Sequence, residues 1–233
     1  MIKLIKKHIL KIIPKNILNI YGINKIFLNK YGYVKTIQLK LPINKNDEPI
    51  PWYTYPAIEY LNQLDLKDKA IFEYGTGNSS LFFAKKSKNV TSVEDNKEWF
   101  DKIIKNKPDN LNVIYQKDKN DYLSSITKLD KKFDIIVIDA NYRLECCSYV
   151  KLFLEDDGLV ILDNSERDQD CAKYLRDNLD LIEIDFFGIG PINNYAWTTS
   201  IFFSRKVVLK TVSDTQPTIP LGGLCLKNEN ANN

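Results

Sequence analysis

The chain reads as an α/β protein built on a doubly wound, mostly parallel sheet with helices on both faces. Three observations predict this. Residues 70–94 run as a short apolar strand ending in Glu73, a turn through Gly75-Thr76-Gly77-Asn78, a helix opening at Ser79 or Ser80, and a second apolar strand ending on Glu94. Residues 133–138, FDIIVI, form the continuous apolar run that a central parallel strand shows, and the run stops on Asp139. Strand-like and helix-like segments then alternate to about residue 205.

In chain order, residues 1–50 form a helical and extended N-terminal addition. Ile2, Ile5, Ile9, Ile12 and Ile13 recur at helical spacing opposite Lys3, Lys6, Lys7 and Lys11, until Pro14 ends or kinks the segment. Lysines interrupt every apolar run, so this is neither a membrane span nor a signal peptide. A basic helix over residues 1–13 could pack on the domain, meet a second copy of the chain, or make peripheral membrane contact; the sequence leaves the three open. Residues 32–41 alternate weakly and are expected as an edge strand or extended arm, and residues 42–51 as a polar linker. Pro56 suits the first turn of a helix that turns Ile58, Tyr60, Leu61 and Leu64 to the sheet. The aromatic run Trp52, Tyr53, Thr54, Tyr55 before it is either core or ligand cover.

After the opening stretch come a helix over residues 96–105, a third strand over 111–115 closely followed by Asp118, and a helix over 121–129. Beyond Asp139 the pattern gives a helix over 143–154 and the turn Asp157-Gly158. A fifth strand, 159–162, ends on Asp163-Asn164, and a helix covers 167–178. Strands 181–187 and 198–203 are joined by GIGPINNYAW. Residues 206–233 lack periodicity and are expected as a mobile tail.

At 233 residues the chain suffices for one full-sized domain, and 44% hydrophobic with 27% charged residues is ordinary for a globular protein. A net charge of +3 gives no support for nucleic-acid binding. Cys146, Cys147, Cys171 and Cys225 show no metal-ligand spacing and are expected as reduced thiols of a cytoplasmic protein. The single histidine, His8, leaves no room for histidine-based catalysis or a His-rich metal site.

The glycine turn has a mechanical reason: it needs positive φ, and a ligand lying on the backbone needs a missing Cβ. Glu94 is placed to accept both hydroxyl hydrogens of a ribose. Glu73, just ahead of the glycines, would repel a pyrophosphate and attract a cation, so a ribose ligand with a positively charged amino-acid tail fits better than a dinucleotide. EYGTGNSS followed by SVEDNKEWF resembles the cofactor site of class I S-adenosylmethionine (SAM)-dependent methyltransferases, and the resemblance covers residues 51–205. It implies a Rossmann-like seven-stranded sheet whose last two strands form an antiparallel hairpin. It further implies SAM binding by Glu73, Gly75, Gly77, Asn78, Ser79, Glu94 and Asp139, with Asp118 near the adenine amino group.

Four strands end in acids, Glu73, Glu94, Asp139 and Asp163, a convergence that core packing does not demand because unpaired carboxylates are costly to bury. Asp139, Arg143, Asp163 and Asn164 are therefore the candidate catalytic set facing the methyl acceptor, with Arg143 equally readable as a structural partner of either aspartate. Asp139 and Asp163-Asn164 resemble the strand-end ligands of catechol-type O-methyltransferases, which would imply Mg2+. The lysine base those enzymes carry is replaced here by Asn141-Tyr142-Arg143. The D-x-x-x-R and L-D-N patterns with G-x-G-P resemble methyltransferases associated with surface-polysaccharide biosynthesis. The resulting expectation is methyl transfer to an oxygen, in preference to a nitrogen, of a small-molecule or saccharide acceptor. Aromatic and amide groups of loop 188–197 suit a polar ring. The alternatives are an aminopropyltransferase and a non-catalytic module of the same fold docking through its basic N-terminus. Amino-directed base methyltransferases carry an N/D-P-P-Y/W motif that this chain lacks.

Overall fold

The computed structural model of the chain describes residues 13–223. Its centre is a seven-stranded sheet of β1 (Ala70–Tyr74), β2 (Asn89–Glu94), β3 (Leu111–Tyr115), β4 (Phe133–Ile138), β5 (Leu154–Asp163), β6 (Ile182–Ile189) and β7 (Ala196–Phe203). The order is β3-β2-β1-β4-β5-β7-β6. The first five strands are parallel, and β7 runs antiparallel to both β5 and β6. Chain order reverses between β1 and β4, the place where open sheets of this kind bind ligands beyond the carboxyl ends of their strands.

Alternation along the strands feeds two cores. Ile71, Val90, Ile135, Ile161 and Ile201 face α3 (Tyr55–Gln63) and α4 (Asn78–Lys86), which contribute Ile58, Leu61, Phe82 and Phe83. Phe72, Ile136, Val160 and Phe202 face the opposite way. They meet α6 (Lys119–Leu123), α7 (Arg143–Phe153) and α8 (Gln169–Lys173) through Tyr122, Cys146, Val150 and Cys171. Between β2 and β3 lies α5 (Lys97–Ile104), capped by the Asn96 side chain, which accepts from the amides of Glu98 and Trp99.

The N-terminal addition departs from expectation. Beyond Pro14 the chain forms α1 (Lys15–Ile26), extended by a turn of π-helix, Phe27–Tyr31. Residues 32–41 are not an edge strand but hold a second helix, α2 (Tyr33–Leu39). Gly32 (φ 74°) and Lys40 (φ 52°) bound it in left-handed conformations, and a Cβ on Gly32 would lie 2.6 Å from the Lys45 amide nitrogen. The weak alternation lost to this local geometry and to burial of Thr36, whose hydroxyl bonds back to the Tyr33 carbonyl. The expected linker is tied down too: Asn44 accepts from the amides of Asn46 and Glu48, and Ile43 bridges Pro49.

At the other end, the described part of the expected tail follows α3. The amide of Asp65 donates to the Lys210 carbonyl, Val212 to Gln63, and Leu221 to the Glu59 carboxylate. Where four reduced thiols were expected, Cys147 and Cys171 are joined as a disulfide between α7 and α8, while Cys146 is free and buried. The two sit on neighbouring helices of one core, a proximity that their separation of 24 residues does not reveal. Among the described residues no helix is long and apolar enough to cross a membrane. Residues 1–12, where most of the expected basic helix over residues 1–13 falls, lie outside the described residues, as do residues 224–233.

Candidate functional site

Strand register assembles the site. Tyr74 pairs with Val93 on one side and Ile138 on the other, and Ile138 pairs with Leu162. The next residue of each strand therefore shares one row, which reads Glu94, Gly75, Asp139, Asp163. With neighbouring strands about 4.8 Å apart, that row spans roughly 14 Å. Glu94, Gly75 and Asp139 of this row form the floor of a cavity of about 360 Å³ at the switch point.

Of the residues the sequence nominates for a cofactor, Glu73, Gly75, Gly77, Asn78, Ser79, Glu94 and Asp139 all line this cavity. Gly75 sits at φ +98° with its amide donating to the Val93 carbonyl (2.9 Å), and a Cβ there would lie 2.2 Å from the Asp139 carbonyl oxygen. Only glycine fits. Gly77 differs. Its backbone is extended (φ −175°), and a Cβ would meet only the Ser79 hydroxyl at 3.9 Å, so its lack of a side chain leaves room in the cavity. The N-cap of α4 is Gly77, and the Ser80 hydroxyl accepts from the Gly77 amide, as the third residue of a capping box does, and donates to Glu73. Asn78 is anchored by its amide to the Pro42 carbonyl (2.7 Å).

The carboxylates are tuned by burial. Glu73 is 1% exposed, and desolvation pushes its carboxyl up to about 8 against the opposing pull of the Ser79 and Ser80 hydroxyls. Glu94 is raised to about 7, again chiefly by desolvation. Its two oxygens accept from the amides of Thr76 (2.8 Å) and Asn96 (2.9 Å), which clamp the glycine turn to the end of β2 and leave lone pairs for a ligand. Asp139 and the buried Asp163 are also shifted upward by desolvation; Arg143 offsets this at Asp139, and the Asp139 charge adds to it at Asp163. The lining holds Glu73, Glu94, Asp95 and Asp139 against one cation, Arg143. Such a surface suits a ligand of net positive charge.

Asp118 is not part of this lining. It is exposed at the N-terminus of α6, where its side chain accepts from the amides of Asn120 and Asp121. Trp52, read from sequence as core or ligand cover, lines the cavity, and residues not nominated from sequence complete the wall: Pro42 from the N-terminal side, Asp95, Asn96 and Trp99 after β2, and Tyr122, Ala140 and Asn141. Trp99 and Asp95 lie within the quoted SVEDNKEWF motif, so their signal was present.

A second cavity of about 250 Å³ adjoins the first and shares Trp52 and Asp139 with it. Asp163, Asn164, Arg167, Asn193, Tyr195 and Trp197 complete it, so the nominated acceptor-side residues do meet. Arg143 ties them together: its guanidinium donates to Asp139 (3.0 Å) and Asn164 (3.3 Å) and pairs with Asp168 (3.3 Å). Asp163 accepts from Trp197 Nε1 (3.0 Å) and the Thr199 hydroxyl (2.6 Å).

These contacts do not fit Mg2+. The Arg143 guanidinium occupies the position between Asp139 and Asn164 that a cation would take, and Asp163 is engaged by two donors. Among the described residues no group of three or more His, Cys, Asp or Glu side chains is arranged to hold a metal. The magnesium that the catechol-type resemblance would imply therefore finds no support in these contacts, and Arg143 is a structural partner of Asp139 whatever else it does.

The sheet order, the closing hairpin and the helices on both faces define the class I SAM-dependent methyltransferase fold. Among solved structures, the chain is similar to a Staphylococcus aureus protein provisionally assigned as a caffeoyl-CoA O-methyltransferase. Identity is 19% over 82% of this chain and 98% of that one, with a TM-score of 0.53. A provisionally assigned O-methyltransferase from Klebsiella pneumoniae gives 14% identity, coverage of 85% and 94%, and a TM-score of 0.51. Precorrin-6y C5,15-methyltransferase from Geobacter metallireducens gives 12%, 64% and 87%, and 0.50. No protein-family model matches the sequence, and no curated protein matches it either.

Proposed function

We propose that this protein is a SAM-dependent methyltransferase acting on an oxygen of a small molecule or saccharide. The observation that carries the reading is the acid-lined cavity at the switch point, with Glu94, Gly75 and Asp139 in one register row and α4 opening onto it. Glu94 would hold the ribose hydroxyls. Glu73 and Asp139 would face the cationic groups, and the N-terminus of α4 at Asn78 and Ser79 the carboxylate. Trp99, Asp95 and Tyr122 stand on the side left for the base. When bound, SAM supplies an activated sulfonium methyl, so the protein's task is chiefly positioning.

The smaller cavity is the acceptor site in this reading. Trp52, Tyr195 and Trp197 offer flat apolar faces, and Asn164 and Asn193 offer amides, a combination suited to a polar ring. Asp139 lines both cavities and is placed to take the proton that an acceptor hydroxyl must lose. Arg143 holds Asp139 in that position, and Asp163 orders the acceptor wall through Trp197. The deciding experiment is isothermal titration with SAM, followed by a turnover screen over nucleotide sugars, saccharides and phenols. SAM binding and methylated product are expected with and without chelator; absence of SAM binding by the intact protein would refute the reading.

A further inference from the structure

The N-terminal helix α1 is rich in large apolar side chains, yet none of its twelve residues is buried. Ile17, Ile20, Tyr21 and Ile23 are each more than half exposed. Helical spacing sets Ile17, Ile20 and Tyr21 on one stripe, which the exposed Leu28 prolongs. α2 continues this surface with exposed Val34, Ile37 and Leu39. Its inner side grips the acceptor loop: Tyr33 donates to the Asn193 carbonyl (2.6 Å), and the Ile192 amide donates to the Thr36 hydroxyl (2.8 Å). Exposed aliphatic side chains gathered on two successive helices in this number mark an interaction site.

Charge identifies the partner. Ten of the 33 basic side chains and none of the 30 acidic ones lie in residues 1–46, and all ten are lysine. That segment carries +10, which leaves −7 for the rest of the chain. Among the described residues, only Lys35 of the six lysines between residues 15 and 45 is in an ion pair, with Asp47 at 2.7 Å. Nucleic acid would account for the charge but not for exposed isoleucines, and a protein partner for the isoleucines but not for a wholly one-signed segment. An anionic bilayer accounts for both: aliphatic side chains enter the acyl boundary while lysines snorkel to the headgroups.

We propose that residues 13–46 form a docking surface for an anionic lipid bilayer, with α1 lying in the plane of the interface. Twelve residues at 1.5 Å each make a helix of about 18 Å, too short to span a core of about 30 Å. The acidic remainder of the chain is repelled by the same surface, which sets the orientation. Through α2, docking is joined mechanically to the loop that lines the smaller cavity.

The test is co-sedimentation of the full chain with vesicles of phosphatidylcholine alone and of phosphatidylcholine mixed with phosphatidylglycerol. Partition onto the mixed vesicles is expected, weakening as salt rises. The variant K15E/K25E should lower it by about tenfold or more. I17D/I20D should abolish it without lowering the melting temperature, because both side chains are exposed. The proposal is overturned by equal partition onto neutral vesicles or by no partition at all. It is equally overturned if I17D/I20D converts a dimer of the free protein to monomer while vesicles remain unbound, since the face would then cover a second copy.

Discussion

Glu73, one residue before the end of β1, and Glu94, the last residue of β2, lie on adjacent parallel strands, yet their surroundings give them different work. Glu94 accepts two backbone amides and so builds the turn as well as facing the cavity. Its replacement by alanine removes two hydrogen bonds to a charged acceptor, each worth about 1.5–3 kcal/mol, together with its hold on the ribose. Glu94→Ala is therefore expected to weaken SAM binding by roughly 100-fold or more and to lower the melting temperature, read by titration calorimetry and thermal scanning. Glu73 has no such scaffold role; its partner is the Ser80 hydroxyl, and its carboxyl, at about 8, is largely protonated in the empty site at neutral pH. A bound cation favours the ionised form, so binding must release a proton. SAM affinity should then rise with pH through the range set by Glu94 near 7 and Glu73 near 8. Glu73→Gln should bind SAM more weakly and lose the upper part of that rise. An unchanged pH slope in the variant would remove Glu73 from the cation site.

The two glycines of the turn separate folding from binding at the level of the element. An alanine at Gly75 would combine a left-handed φ of +98° with a Cβ driven to 2.2 Å from a backbone oxygen of β4. Gly75→Ala should cost about 2 kcal/mol or more, a fall in melting temperature of roughly 4–8 °C for a domain of this size. Gly77→Ala meets neither obstacle and should melt within about 2 °C of the parent while losing SAM affinity, because its methyl projects into open cavity. The strand ends were legible because Glu73, Glu94, Asp139 and Asp163 each close an apolar run; parallel pairing sets Glu94, Asp139 and Asp163 in one row, which Gly75, two residues past Glu73, completes. The elements that misread did so for local reasons. The 32–41 segment alternates only weakly, and a left-handed Gly32 packed on the Lys45 backbone started a helix instead. Asp118 follows β3 closely enough to look like a ligand, but its carboxylate is spent on capping α6. Pro42 reaches the cavity through a tertiary contact with Asn78, 36 residues away, which no spacing along the chain encodes.

Across the whole molecule, the cleft gathers acids that the fold would rather keep neutral. Glu73, Glu94, Asp139 and Asp163 are all raised by desolvation, so the folded protein holds protons that the unfolded chain has already released. Stability from a raised carboxyl is complete below its unfolded value and is lost as pH climbs through its folded value; for Glu73 that window runs from 4.5 to about 8, and for Glu94 from 4.5 to about 7. Surface acids such as Glu48, Asp156 and Asp180 are lowered by lysine or arginine partners, and their opposite effect falls below their ordinary values, on the far acid side. The empty protein should therefore be most stable at about pH 5 to 6 and lose melting temperature steadily toward pH 8.5. A cationic ligand reverses the balance by pairing with the ionised carboxylates, so saturating SAM should raise the melting temperature more at pH 8 than at pH 6. Thermal scans of the full chain across this range, with and without SAM, read both effects together. A melting temperature that is flat or rising between pH 6 and 8.5 in the empty protein would mean that these carboxyls are already ionised in the fold. The destabilised acid row would then no longer explain how the cleft selects a cation.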